Sequence, residues 1–206
     1  MYIILEGGEG PGKGVQKKLL QQALEALGFK VLQIVEPGGT DVGLAIRTVL
    51  LNRLDLNPLP LTEVLLFFAA RAQQVLEVTR PALEKGYIII SDRSFYSTYV
   101  YQGYVQGMSL RVLKFLTRLV MGKTNPDRVI LLDIPPEIGL ARKNKQEELN
   151  RLDMKSLAYH RKVRKGYLLL AKKEPKLWRV IDAEQSIEAI HAQILAIVLE
   201  DLKVEK

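Results

Sequence analysis

Tyr2-Ile3-Ile4-Leu5-Glu6 runs directly into Gly7-Gly8-Glu9-Gly10-Pro11-Gly12-Lys13-Gly14, and the fold turns on how this stretch is read. The first five residues form a short apolar run, β-branched in the middle and closed by glycine, which predicts a buried strand. Beyond Lys13, Val15, Leu19, Leu20, Ala23, Leu24 and Leu27 recur at helical spacing. A glycine-rich loop therefore joins a strand to a helix N-terminus. Glycines let backbone N–H groups approach phosphate oxygens with no Cβ in the way. The helix start adds unpaired donors and a partial positive charge. Lys13 supplies a mobile cation. Gly7, four residues, then Gly12-Lys13 keeps the Walker A spacing, but Gly14 stands where that pattern carries a Ser or Thr hydroxyl for Mg²⁺. A glycine-rich turn with no ligand is the plain alternative.

The next segments repeat the theme. Lys30–Val35 predicts a second strand, ending in the turn cluster Glu36-Pro37-Gly38-Gly39-Thr40. Helical periodicity runs from about Val42 to Leu54. A long apolar helix follows, with Thr62 as its expected N-cap, through Phe67 and Phe68 to Val78, and Pro81 ends or kinks it. Tyr87–Ile90 predicts a third strand with Asp92-Arg93 just past it, and Val129–Asp133 a fourth with Pro135-Pro136 opening the next helix. A helix is expected over Leu110–Met121. Arg142–Arg151 reads as a basic loop. A helix to about Lys173, a strand at Trp178–Ile181 and a helix from Ser186 to Leu202 complete the chain.

Alternation of strand and helix predicts an α/β fold: a three-layer parallel sheet of about five strands flanked by helices, with a short lid. Ligands in such sheets bind at the carboxyl ends of the strands. The phosphate loop, the Glu36 turn, Asp92-Arg93 and Asp133 all fall at such ends.

Composition narrows the class. The 206 residues are 48% hydrophobic and 26% charged, which is ordinary for a globular chain, and no apolar run is long enough to span a bilayer. Cysteine is absent, which excludes disulfides and thiol chemistry and fits a cytoplasmic setting. The net charge of +7 favours polyanions. With no RNA-binding aromatic motif or zinc-finger spacing, that charge reads as a bias toward phosphate rather than nucleic acid.

The order and spacing of further pieces is specific. They are Glu36-Pro37-Gly38-Gly39-Thr40, Phe67-Phe68-Ala69-Ala70-Arg71, Asp92-Arg93 with Ser97-Thr98 and Tyr101-Gln102-Gly103, Pro126-Asp127 before Leu131-Leu132-Asp133, and Asn150-Arg151-Leu152-Asp153. Together they resemble the thymidylate kinase family, P-loop nucleoside monophosphate kinases that make dTDP from dTMP and ATP, and the resemblance covers nearly the whole chain. It implies one domain over residues 1–206 with a lid at about 142–152, ATP and Mg²⁺, and a homodimer formed through helices.

The resemblance also implies roles. Phe67 stacks on thymine, Arg71 donates to the base carbonyl, and Arg47 and Arg93 hold the dTMP phosphate. Thr98 and Gln102 line the base edge, Glu36 and Ser97 belong to the same substrate site, Tyr101 packs beside the deoxyribose, and Glu9 approaches the sugar 3′-hydroxyl. Gly7, Gly8, Glu9, Gly10, Pro11, Gly12, Lys13, Gly14 and Val15 form the ATP loop. Asp92 serves Mg²⁺ through water, and Arg142 and Arg151 serve the reaction from the lid. His160 and His191 read as structural or surface residues.

Four departures from the family pattern stand out: Gly14, Val35 where many relatives have arginine, Ser94 where an aromatic often follows Asp-Arg, and a lid with Lys143, Lys145 and Gln146 in place of dense arginine. Lysine lacks arginine's bidentate grip. Two readings follow: an active dTMP kinase, or a catalytically weakened or inactive relative that binds nucleotide as a regulatory protein.

Overall fold

The computed structural model describes residues 1–143 and 150–204. Five parallel strands, β1 (Tyr2–Glu6), β2 (Val31–Val35), β3 (Ile88–Asp92), β4 (Arg128–Asp133) and β5 (Trp178–Asp182), form one sheet in the order β2-β3-β1-β4-β5. The central strand β1 is buried along its whole length. Its alternation splits the core. Ile3 and Leu5 join Leu20, Leu24, Ile194 and Val198 under helices α1 (Lys13–Ala26) and α9 (Ile187–Val204). Tyr2 and Ile4 face Val64, Phe68, Leu113 and Val163 on the other side. That second layer is built by α3 (Pro60–Gln74), α6 (Leu110–Met121) and α8 (Leu157–Lys173). Burial on both faces explains why these strands are continuous apolar runs rather than alternating ones.

The remaining helices are α2 (Asp41–Arg47), α4 (Arg80–Glu84), α5 (Phe95–Thr98) and α7 (Pro136–Lys143). Thr40 caps α2 by accepting a hydrogen bond from the Gly43 N–H at 2.9 Å. The predicted helix from Val42 ends earlier than expected, passing into a wider π-helical turn at Thr48–Asn52.

Several boundaries differ from expectation for physical reasons. Thr62 is not the N-cap of α3. Pro60 opens that helix behind an extended Leu59, because proline's missing N–H costs nothing in a first turn. Pro81 does not stop the chain either. A π-helical stretch at Val75–Thr79 absorbs it, and the helix continues as α4. Asp92 is the last residue of β3 rather than the first beyond it. Arg142 and Lys143, expected in a loop, close α7; Lys145 and Gln146 lie outside the described residues. The segment Phe95–Val105 is helical, turning π-helical from Tyr99. Its run of tyrosines with Thr98, Val100 and Val105 carries strand propensity, and packing against the sheet overrides it.

One contact explains a glycine that periodicity could not. A Cβ on Gly139 of α7 would lie 2.2 Å from the Glu9 carbonyl oxygen, and one on Gly10 would lie 2.0 Å from the Gly139 carbonyl. The phosphate loop is therefore seated directly on the backbone of α7.

Candidate active site

The loop after β1 turns through left-handed backbone at Gly10 (φ 69°) and Gly12 (φ 92°), conformations that glycine adopts without penalty. Gly12 precedes Lys13, the first residue of α1. The Lys13 side chain is buried and its Nζ donates to the carbonyl of Gly8 at 2.8 Å. Burial and then Arg93 push its pKa down, while Asp92, Glu9 and Glu6 oppose them.

Arg93 is the hub of the opposite wall. Its Nη1 donates to the Gly7 carbonyl at 3.0 Å and to the Tyr167 hydroxyl at 3.1 Å. Its Nη2 donates to Glu9 Oε1 at 2.9 Å and to the Gly8 carbonyl at 3.2 Å. The Tyr101 ring lies under the guanidinium at 5.4 Å, and its hydroxyl donates to Glu9 at 2.7 Å. Burial by itself would raise the Glu9 carboxyl; Arg93, Lys13, Tyr101 and His160 overcome it and hold the group at about 2. Arg93 has φ 70°, a costly conformation for a side chain of its size. The Ser91 hydroxyl steadies it by donating to the Arg93 carbonyl at 2.6 Å.

Under this wall sits Glu6, fully buried. It accepts from the backbone N–H groups of Ser94 at 3.0 Å and Ser97 at 3.2 Å, the Ser97 hydroxyl at 2.8 Å and the Tyr167 hydroxyl at 2.9 Å. Burial pushes its pKa up, against Arg93 and these donors. A strand carboxylate thus caps the helix that carries Thr98, Tyr101 and Gln102.

A cavity of about 800 Å³ joins these groups to a second cluster. There Arg71 is buried; its Nε donates to Glu36 at 2.6 Å and its Nη2 to Thr98 at 3.3 Å. Its Nη1 has no partner among the described residues. Phe67 lines the cavity next to it. Phe68 turns inward, with the Arg71 guanidinium 4.9 Å from its ring. Arg47 donates to the Pro37 carbonyl at 2.8 Å, and Gln102 is held by Glu63.

Of the residues given a catalytic, ATP-, substrate- or metal-binding role from the sequence, all line this cavity except Gly7, Gly8 and Arg151; Asp133, placed at the same sheet edge, does not line it. Gly7 is a packing glycine: a Cβ there would meet the Leu132 carbonyl at 2.7 Å. Gly8 offers its carbonyl to Lys13 and Arg93. Arg151 pairs with buried Glu63 and donates to the Leu50 carbonyl, so it braces α3 rather than reaching the cavity. Ser97 reaches the wall, but its hydroxyl points to Glu6. Arg142 does line the cavity, and donates to the Ala183 carbonyl at 2.9 Å.

Asp92 is half-buried on the cavity wall, and its carboxylate takes no hydrogen bond or ion pair among the described residues. No group of three or more potential metal ligands occurs among those residues. One free carboxylate facing a phosphate site suits Mg²⁺, which keeps several waters and takes its other oxygens from substrate phosphates.

The family model described as Thymidylate kinase matches residues 5–194. A thymidylate kinase of Roseiflexus castenholzii is 44% identical over 96% of this chain and 92% of its own. One of Thermomicrobium roseum is 43% identical over 98% and 96%. The crystal structure of thymidylate kinase from Ehrlichia chaffeensis superposes with a TM-score of 0.77 over 97% of this chain and 98% of that one, at 28% identity. The chain belongs to the thymidylate kinase family.

Within this thymidylate kinase fold, sequence reasoning missed Glu6, Glu63, Tyr167 and the start of α9. Gln185, Ser186 and Ile187 line the cavity, and Gln16 of α1 donates to the Ile187 carbonyl at 2.9 Å. The only available signal was Ser186 as a helix start.

The low pKa of Glu9 has a consequence for stability. Its folded value of about 2 lies below the usual carboxylate range. Its contribution is therefore complete above that range and is lost as pH falls toward 2. Glu9→Gln is expected to be less stable than the parent at pH 6 and to lose less stability on acidification. Thermal melts of both proteins from pH 6 to 3 check this; parallel curves would contradict it.

Proposed function

We propose that the protein transfers the γ-phosphoryl group of ATP to dTMP, giving dTDP and ADP. The observation that carries this reading is one continuous cavity with Lys13 and the loop amides at one end, Phe67 and Arg71 at the other, and Arg93 between. The acceptor is already an anionic phosphate, so the reaction needs no general base. What it needs is in-line positioning and cancellation of charge.

In this reading the amides of Gly10–Gly14 and Lys13 hold the ATP phosphates, and Arg142 borders them. Arg93 and Arg47 take the dTMP phosphate. Glu9 and Tyr101 border the deoxyribose, and Phe67 stacks on the base with Thr98 and Gln102 at its edge. The unpartnered Nη1 of Arg71 suits a thymine carbonyl. Cytosine presents an amino donor at that point and would leave two buried donors facing each other. Asp92 would hold Mg²⁺ through water, and an ion bound there would supply positive charge to offset that of the phosphates.

ADP release from MgATP, measured across dTMP, dUMP, dCMP and dGMP, tests the assignment. Turnover highest with dTMP is expected; none with any monophosphate at high enzyme would leave only a nucleotide-binding role. In the same assay Arg71→Ala should raise KM for dTMP about tenfold or more, on the scale of one buried charged donor, and leave KM for ATP within about twofold. Equal losses would remove Arg71 from base reading.

Gly14 is the weak point of the ATP side. A Cβ added there meets nothing within 4 Å, so Gly14→Ser fits. Restoring the hydroxyl should raise kcat at limiting Mg²⁺ by about tenfold, a modest share of what one positioned donor contributes. An unchanged Mg²⁺ dependence would show that metal binding does not pass through this position.

The homodimer belongs to the same reading. Leu61 and Leu65 on α3 and Phe115 and Leu119 on α6 expose apolar side chains on two helices that pack side by side. Sedimentation equilibrium should give twice the chain mass, and a single-chain mass at micromolar concentration would remove the dimer.

A further inference from the structure

His160, on α8, belongs to no role assigned above. It is almost fully buried, and its Nε2 has no partner among the described residues. A buried polar atom left unpaired is costly, so such atoms call for a partner. The residue borders a small cavity of about 10 Å³ behind the phosphate loop, separate from the main one. That is about the space one water molecule needs. Gly8, Glu9, Asp133, Arg164 and Tyr167 share its wall, so the lining is polar enough to hold a water.

The other side of this cavity is Glu9. Both of its direct hydrogen bonds, from Arg93 and Tyr101, fall on Oε1, and Oε2 accepts none among the described residues. The remaining polar neighbours are already committed. Asp133 is bound by Arg164 through two hydrogen bonds of 2.8 Å, and Tyr167 donates to Glu6. Tyr159, next to His160, is an edge-on aromatic neighbour at 5.6 Å; its hydroxyl is also buried and unpaired among the described residues, but Tyr159 does not line this cavity. Among the side chains lining the cavity, the His160 Nε2 is therefore the buried unpaired atom, and Glu9 Oε2 is the carboxylate oxygen that accepts no direct hydrogen bond among the described residues.

We propose that His160 is a positioning residue that holds Glu9 through one buried water, with the imidazole N–H donating to the water and the water donating to Oε2. The hydrogen-bond bookkeeping closes: a carboxylate only accepts, so the water must donate to it and takes its own bond from the ring. Held on both oxygens, Glu9 keeps Arg93 and Tyr101 in place on the cavity wall. The inference rests on the kinase reading for its effect on turnover, but not for the water itself.

The test uses the full chain with His160→Leu and His160→Gln. Leucine removes the donor and keeps bulk; glutamine returns an N–H of similar reach. His160→Leu is expected to lower kcat with dTMP about tenfold with KM for ATP within about twofold, and His160→Gln to recover most of kcat. A merely structural histidine would instead show a lower Tm in both variants with kcat unchanged, and that result overturns the proposal. Two readouts do not depend on activity or on the leucine variant folding. A high-resolution crystal structure should show a water bonded to both Nε2 and Glu9. The imidazole ¹⁵N signals of His160 should move on Glu9→Gln. No water and unmoved signals would sink the inference, whereas a wild-type protein without dTMP turnover but with both signatures would sink only the kinase reading.

Discussion

The structure depends on the way Arg93 is held against the phosphate loop. A guanidinium taken largely out of water, as that of Arg93 is at 18% exposure, is costly to desolvate. This one is offset by a carboxylate, Glu9, and by the carbonyls of Gly7 and Gly8 and the Tyr167 hydroxyl. Its pKa stays well above the ordinary value because Glu9, Tyr101, Tyr167 and Glu6 together outweigh burial. The same contacts fix the distance between the loop at the end of β1 and the wall at the end of β3. Those two elements are neighbouring strands, paired in register from Tyr2↔Ile89 to Leu5↔Asp92. The sheet sets the frame, and Arg93 sets the spacing of the side chains on it.

Electrostatics then divide the work among the nearby carboxylates. Burial and then Arg93 push the Lys13 pKa down, and the three acids Asp92, Glu9 and Glu6 oppose them. Glu9 stays ionised and binds Arg93 directly. Glu6 is pushed toward its neutral form by burial and serves as a structural acceptor beneath the wall. Asp92 remains on the cavity surface with its oxygens uncommitted among the described residues. Three acids within one cluster thus take three different tasks, and burial decides which.

Much of this was legible in the sequence, and the boundary has physical causes. Glycine spacing before Lys13 and continuous apolar strands identify the loop and the parallel sheet, because both are backbone requirements written in local composition. Arg71, Arg93 and Phe67 were singled out by their place in motif blocks, and all three line the cavity. Glu6 was not, since a lone acid closing a strand looks the same whether it meets water or caps a helix from beneath. The helix at Phe95–Val105 was hidden by its own aromatic and β-branched residues. Arg151 shows what a local pattern cannot hold: a cation in a lid-like stretch reads as catalytic, and its structural partner Glu63 is 88 residues away in the chain. Contacts of that separation leave no trace in a local pattern. Gly139 is a similar case, a helical glycine whose reason lies in the Glu9 carbonyl above it.

Gly14 is best understood through the same distinction between backbone and side-chain demands. At Gly7 and Gly10 a Cβ would collide with neighbouring backbone, so those glycines are dictated by packing. At Gly14 there is open space and no left-handed backbone, so neither sterics nor conformation requires glycine there. The cradle of amides, the helix start and Lys13 are all intact without a side chain at this position. Their interaction with phosphate comes from backbone N–H groups and one cation, neither of which a missing hydroxyl disturbs. In the proposed kinase reading, what the loop gives up is a single oxygen ligand to a metal ion of a kind that exchanges protein oxygens for water readily. The substitution therefore lies on the metal side of the chemistry and leaves phosphate binding, the property the fold is built around, untouched.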